Sequence, residues 1–340
     1  MWTTNERQEF AACLAAMTSY RKECQKAILK MHKQGLRTDD QLAKLNEAIN
    51  NNANLFEYMA ERGPESFGPE NANMFPKINI HFDDQDLNQL DACLHSAARD
   101  WTSLGDAERG EVYSPVIAAL HKYVQPNEEV LVPGSGLCRL AVEIAQSGFI
   151  AEANESSFVM LVMAFISMFS DGAQFLIFPF VHQISGLDKF EDSLISAVFP
   201  DLSSSLADPG LSLDPPSLIE SSRLVLKAGK FEGVYANVSE KFGAIVTCFF
   251  IDVISDVQNT IINLHKLLKD GGIWINIGPI VNHNQSVGFF SPLTLEDIDR
   301  MARNAGFDII EQSRIDTSYS QNPKTHVKTR YSTQFSVYRK

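Results

Sequence analysis

The stretch "VLVPGSGLCRL", residues 130–140, runs from an apolar strand through two glycines into a helical pattern. An α/β sheet offers its backbone to a ligand in this way, because a glycine has no side chain to hold the ligand off and the helix start points its N–H groups at it. Gly134 and Gly136 supply the turn. Glu155 follows 19 positions after Gly136, at the end of the next apolar run, where an acidic side chain accepts from ribose hydroxyls. A dinucleotide fingerprint needs a third glycine at position 139; Arg139 stands there, which argues against NAD and for a single ribose-bearing nucleoside. The plainer alternative is that both glycines only shape a turn and Glu155 is a surface residue.

From this stretch to the C-terminus, short β-rich runs alternate with helical patterns: "EVLVP", "FIAEAN", "RLVLKAG", "AIVTCFFID", "GIWINIGP", "FDIIEQS" and "QFSVYRK". Such alternation predicts a seven-stranded, mostly parallel sheet covered on both faces. The last run follows a polar segment without a helix and is expected to enter antiparallel as a hairpin partner. Thr294 with Asp297 forms a capping box and Gly306 a stop, which predicts a helix over 294–305. Between about 171 and 222 the chain is rich in Ser, Pro and Asp ("FPDLSSSLADPGLSLDPPSL") and is expected to be an inserted loop.

Towards the N-terminus the pattern is helical. Phe10, Cys13, Leu14 and Met17 share one face, as do Leu87, Leu90, Leu94 and Ala98, and a proline- and glycine-rich connector covers 61–82. The expected organisation is a helical segment with connector over 1–84 and an α/β domain over 85–340. The helical faces pack on their own domain or on a second subunit, as in a homodimer. With 42 acidic against 29 basic residues and a net charge of −13, no broad positive field exists to bind nucleic acid. Five scattered cysteines lack C-x-x-C spacing and suggest a reducing compartment, with neither zinc site nor disulfide framework. The longest apolar run, "FVMLVMAFISMF" at 158–169, is too short for a membrane span, and Met160, Met163 and Met168 fit a buried helix face. A cytoplasmic location, or a nuclear one, is expected.

Several segments, in order, carry a resemblance: "RDW" at 99–101 with "AERGEVYSPVI" at 107–117, "VLVPGSGLCRLAVEIA" at 130–145, "NESSF" at 154–158, "FPFVHQ" at 178–183, "TCFFID" at 247–252, "GGIWINIGPIVNH" at 271–283 and "RYSTQFSVYRK" at 330–340. Together they resemble the carnosine N-methyltransferase family, most specifically in Thr247–Asp252 and Gly271–His283. The resemblance implies a Rossmann-like class I methyltransferase that uses S-adenosylmethionine to methylate an imidazole nitrogen of a histidine dipeptide. It implies cofactor contacts at Arg99, Gly134, Gly136, Glu155, Lys230, Phe231 and Cys248, and substrate contacts at Asp252, His283 and Tyr331. The chain departs from the family at four points: Cys138 replaces a glycine, Ser156 an aromatic residue, Lys230 an aspartate and Thr329 a tyrosine. A lysine has three donors and no acceptor for an adenine amino group.

Methyl transfer to imidazole needs one ring nitrogen with its lone pair free, so a carboxylate that accepts from the other N–H fixes the tautomer and stabilises the charge that forms. Asp252, closing the run "TCFFID", is expected at the carboxyl end of a strand. Its alternative role is to cap a helix beginning near 255. His283 reads equally as a solvated loop residue and Tyr331 as an ordinary strand aromatic; His182 and Gln183 fit a structural role at least as well as a functional one. No metal-ligand spacing is present. The rival readings are a methyltransferase of another imidazole, such as a protein histidine, and a non-catalytic paralogue with a weakened cofactor site.

Overall fold

The computed structural model describes residues 3–67, 78, 80–169, 172–201, 217–220, 223–280 and 293–340. The helices are α1 (Thr4–Lys33), α2 (Asp39–Arg62), α3 (Asp84–Trp101), α4 (Asp106–Tyr123), α5 (Arg139–Gln146), α6 (Phe158–Phe169), α7 (Phe231–Val234), α8 (Val257–Leu267) and α9 (Leu295–Ala305). The strands are β1 (Glu129–Pro133), β2 (Ile150–Glu155), β3 (Phe175–Ile177), β4 (Ala197–Phe199), β5 (Ser217–Glu220), β6 (Leu224–Ala228), β7 (Phe242–Cys248), β8 (Leu268–Gly278), β9 (Asp308–Thr317) and β10 (Tyr331–Arg339).

They form two units, one of residues 1–106, 157–218 and 320–329, the other of 107–156, 219–319 and 330–340. The second unit is built on the sheet β6-β2-β1-β7-β8-β10-β9, with short β5 at the β6 edge. The pairings β1/β2, β1/β7, β2/β6 and β7/β8 are parallel, whereas β10 runs antiparallel to both β8 and β9. This is the seven-strand series with an inverted last strand expected of a Rossmann-like class I methyltransferase. Val130, Leu131 and Val132 are all buried, as a strand covered on both faces requires. Trp274 stacks on Tyr338 at 4.4 Å within the core on one face. Strand order reverses between β1 and β7, and a doubly wound sheet opens its ligand crevice at the carboxyl edge of that point.

The signals for α9 hold in detail: the Thr294 hydroxyl accepts from the Asp297 N–H, and Gly306 ends the helix in the left-handed conformation. One strand is shorter than its apolar run. β7 stops at Cys248, so Asp252 lies four residues beyond the strand, in a 3₁₀ turn over Ile251–Val253.

The first unit contains α1, α2, α3 and α6. Tyr20 of α1 meets Phe56 of α2 edge-on at 4.9 Å, and Phe10 meets Phe158 of α6 at 5.3 Å. α3 buries Leu90, Cys93, Leu94 and Ala97, and its Cys93 thiol lies 3.9 Å from the Val159 carbonyl of α6. The expected boundary at 84/85 therefore falls inside this unit, because α3 spends its apolar face on other helices. The expected loop over 171–222 is partly regular: β3 and β4 pair antiparallel, while 202–216, with 171, 221 and 222, lie outside the described residues. Among the described residues no helix is long and apolar enough to cross a membrane.

Candidate functional site

The turn after β1 needs its glycines for two different reasons. At Gly134 φ is +62°, and a Cβ there would lie 2.3 Å from the Phe250 ring, so conformation and space both exclude a side chain. Gly136, at φ +53°, turns its N–H onto Glu155, whose Oε2 accepts at 2.9 Å, while Oε1 accepts from the Ser156 N–H at 2.7 Å. The glycine turn and the acidic residue singled out by spacing thus meet. Cys138 is also left-handed, at φ +63°, and stands at the N-cap position of α5 without a capping bond from its side chain. Such a backbone costs a residue with a Cβ about 1–2 kcal/mol, so the family's glycine suits the conformation better. Here the thiol is fully buried and lies 3.3 Å from the Ser135 hydroxyl.

Beside this turn, buried Asn154 donates to the carbonyls of Lys227 (3.1 Å) and Gly229 (2.9 Å), and the Gly229 N–H donates to the Glu155 carbonyl at 2.8 Å. The ends of β2 and β6 are therefore locked together. Lys230 follows them, exposed, at the N-cap of α7 with no capping bond from its side chain. Phe231 is buried, its ring 5.4 Å from Tyr235 and 6.0 Å from Phe250. Further along β2, buried Glu152 accepts from the Tyr235 hydroxyl at 2.8 Å and pairs with Lys227 at 3.0 Å and with Lys241. Burial acts to raise its pKa, but the two lysines outweigh burial and hold it lowered. These pairs tie β2 to β6 and to the residue before β7.

On the other side of the reversal, Cys248 ends β7, and the chain turns sharply at Phe249, whose φ of +49° is rare for an aromatic residue. The Phe249 ring lies 4.8 Å from Tyr319 and, edge-on, 6.1 Å from Tyr331, the first residue of β10. Asp252 is buried, and it is not the helix cap: Asp256 caps α8, accepting from the Asn259 N–H at 3.1 Å. That removes the simplest structural explanation for an acid at 252. His283 lies outside the described residues. Arg99 belongs to the first unit, on α3, where it forms a two-pronged bond to Asp100 at 2.6 and 2.8 Å.

The "FPFVHQ" motif proves to be part of a polar chain within the first unit. The His182 Nδ1–H donates to Asp91 at 2.7 Å, and Nε2 faces the Tyr20 hydroxyl at 3.0 Å. Asn52 in turn bonds Tyr20 at 3.4 Å and spans the Phe178 backbone, donating to its carbonyl at 3.0 Å and accepting from its N–H at 2.8 Å. Cys24 lies 3.9 Å from Nε2, and burial pushes its thiol up to about 12, the direction opposite to an activated cysteine. Among the described residues, no three His, Cys, Asp or Glu side chains are grouped to hold a metal ion.

Asn154, Phe249, Phe250 and Tyr319 were not singled out in the sequence. Phe249 and Phe250 sit in an apolar run and Tyr319 in a polar stretch, with nothing local to mark them, and Asn154 carries only its position before Glu155 as a signal.

Residues 76–340 match the family model described as carnosine N-methyltransferase. The carnosine N-methyltransferase of Rattus norvegicus is 33% identical over 267 residues, 75% of this chain and 64% of that protein. That of Schizosaccharomyces pombe is 28% identical over 320 residues, 88% of this chain and 82% of that protein. The chain thus spans a little under two thirds of the length of the rat relative. Among solved structures, phosphoethanolamine N-methyltransferase 2 of Haemonchus contortus, in complex with S-adenosyl-L-methionine, shares 16% identity over 71% of this chain and 47% of that one. Its TM-score is 0.40, which leaves the strand order as the ground for the fold.

Proposed function

Because the chain belongs to the carnosine N-methyltransferase family, we propose that it transfers a methyl group from S-adenosylmethionine to an imidazole ring nitrogen of carnosine or a related histidine dipeptide. One observation carries the reading: the Gly134–Gly136 turn with Glu155, and Asp252 with Tyr331, lie in one unit at the same sheet edge, on either side of the strand reversal. The residues at the first pair fit a nucleoside, since the glycine turn brings its backbone beside a carboxylate suited to ribose hydroxyls. Cys248 ends the adjoining strand.

When bound, S-adenosylmethionine supplies an electrophilic methyl group. The rest of the work is orientation. Asp252 accepts the N–H of the acceptor imidazole, leaves the other nitrogen's lone pair free, and balances the positive charge that develops on the ring. Burial strengthens that interaction, because water does not compete for the carboxylate. Tyr331 offers a ring face and a hydroxyl; the resemblance adds His283, which lies outside the described residues.

Two observations favour a second reading, a paralogue that binds the cofactor weakly or not at all: Lys230 brings no acceptor to the adenine position, and Cys138 strains a turn that suits glycine. Calorimetry with S-adenosylmethionine and S-adenosylhomocysteine, followed by methyl-transfer assays on carnosine and on histidine-containing peptides, tests both. We expect cofactor binding and transfer to the dipeptide. Binding absent, or present without transfer to any imidazole, supports the paralogue; transfer to peptides alone moves the substrate to a protein histidine.

A further inference from the structure

The chain leaves β7 through two successive phenylalanines that face opposite ways along the sheet edge. Phe250 covers the end of β1: its ring occupies the space that a Cβ on Gly134 would need, and it meets Phe231 edge-on at 6.0 Å. Phe249 faces the other neighbour. Its N–H donates to the Ile277 carbonyl of β8 at 2.8 Å, and its backbone is so close to Gly278 that a Cβ there would lie 3.1 Å from the Phe249 Cα and N. Its ring meets Tyr319 and Tyr331. In the sheet order β1 and β8 flank β7, so the left-handed residue between strand and turn sends one ring to each side.

A bulky residue in this backbone region is costly and persists only where its surroundings fix it. Asparagine or glycine would form the same turn without that cost. A turn that keeps a phenylalanine here, half-exposed at the ligand edge rather than buried in the core, holds its ring where a ligand can meet it. The ring also buttresses Tyr331 edge-on, an arrangement that fixes an aromatic neighbour's orientation as well as its distance.

We propose that Phe249 is a positioning residue for the acceptor: held left-handed between β7 and Gly278, it orients Tyr331 and, with Tyr319, walls the acceptor ring's side of the site from the cofactor's side, which Phe250 closes. The inference rests on the methyltransferase reading above. Because the ring acts on the acceptor side alone, its loss raises the acceptor's KM and leaves cofactor binding intact.

Three variants separate the ring from the backbone. Phe249→Ala should raise the KM for carnosine at least tenfold with S-adenosylmethionine affinity within twofold of the parent. Phe249→Tyr, which keeps the ring, should restore KM to within about threefold. Phe249→Gly should unfold at a higher temperature than Phe249→Ala, because it relieves the left-handed strain, yet share its raised KM. A parental carnosine KM in Phe249→Ala, or a parallel loss of cofactor affinity, overturns the proposal while the parent's activity upholds the reading beneath it. A parent that binds cofactor and methylates no imidazole sinks both.

Discussion

At the ends of β1, β2 and β6 the candidate site is made by backbone and short polar side chains that answer one another: Gly136 donates to Glu155, and Asn154 holds the two carbonyls of the β6 exit. At the ends of β7, β8 and β10 it is made by rings brought from far apart in the chain, Phe249, Tyr319 and Tyr331, around the exit turn that buries Asp252. The first half is held by hydrogen bonds of its own backbone and short side chains, which suits a nucleoside common to many enzymes. The second half owes its shape to packing between side chains, so substitutions there alter which acceptor fits before they alter whether the sheet folds.

The largest expected break between the halves comes from Asp252→Asn. Asn keeps the shape and can still accept a bond but lacks the charge, so turnover on carnosine should fall about 10²–10⁴-fold. Cofactor affinity and melting temperature should stay near parental, since Asp256 carries the helix cap. Near-parental turnover would remove Asp252 from the chemistry. The converse variant, Glu155→Ala, should weaken S-adenosylmethionine and S-adenosylhomocysteine by about 1.5–3 kcal/mol, the range for a bond to a charged group, with the acceptor's KM little changed. Equal binding by calorimetry would show that Glu155 serves only the Gly136 turn. The smallest effect concerns Cys138: Cys138→Gly should be more stable than Cys138→Ala by about 1 kcal/mol, because only glycine escapes the left-handed penalty. If the two variants melt together, strain at this position does not distinguish the chain from its family.

The same contrast separates what the sequence reveals from what it hides. The glycine turn and Glu155 are legible because both belong to one βαβ unit with characteristic spacing, and α9 is legible because capping chemistry is local. The end of β7 is not. Phe249, Phe250 and Ile251 prolong an apolar run, and nothing in a phenylalanine announces a positive φ, so Asp252 reads as the end of a strand that in fact stops at Cys248. Asn154 is hidden for a different reason, its acceptors lying 73 and 75 residues further on. The unit boundary is hidden as well: α3 has an ordinary amphipathic pattern, and only its packing assigns it to the N-terminal helices.

The polar chain from Asp91 through His182 and Tyr20 to Asn52 constrains how descendants of this sequence can drift. Each member bonds the next in a half-buried place, so replacing His182 alone takes one partner from the Asp91 carboxylate and one from the Tyr20 hydroxyl, at about 0.5–1.5 kcal/mol for each lost bond. Against a total stability of about 5–15 kcal/mol, that is a step that favours a compensating change nearby. Exchanging the linked residues together for apolar ones of similar shape is nearly neutral. Among homologues, changes at 20, 52, 91 and 182 should therefore arrive in company, and a sequence that has lost one of the four should already have lost its neighbour.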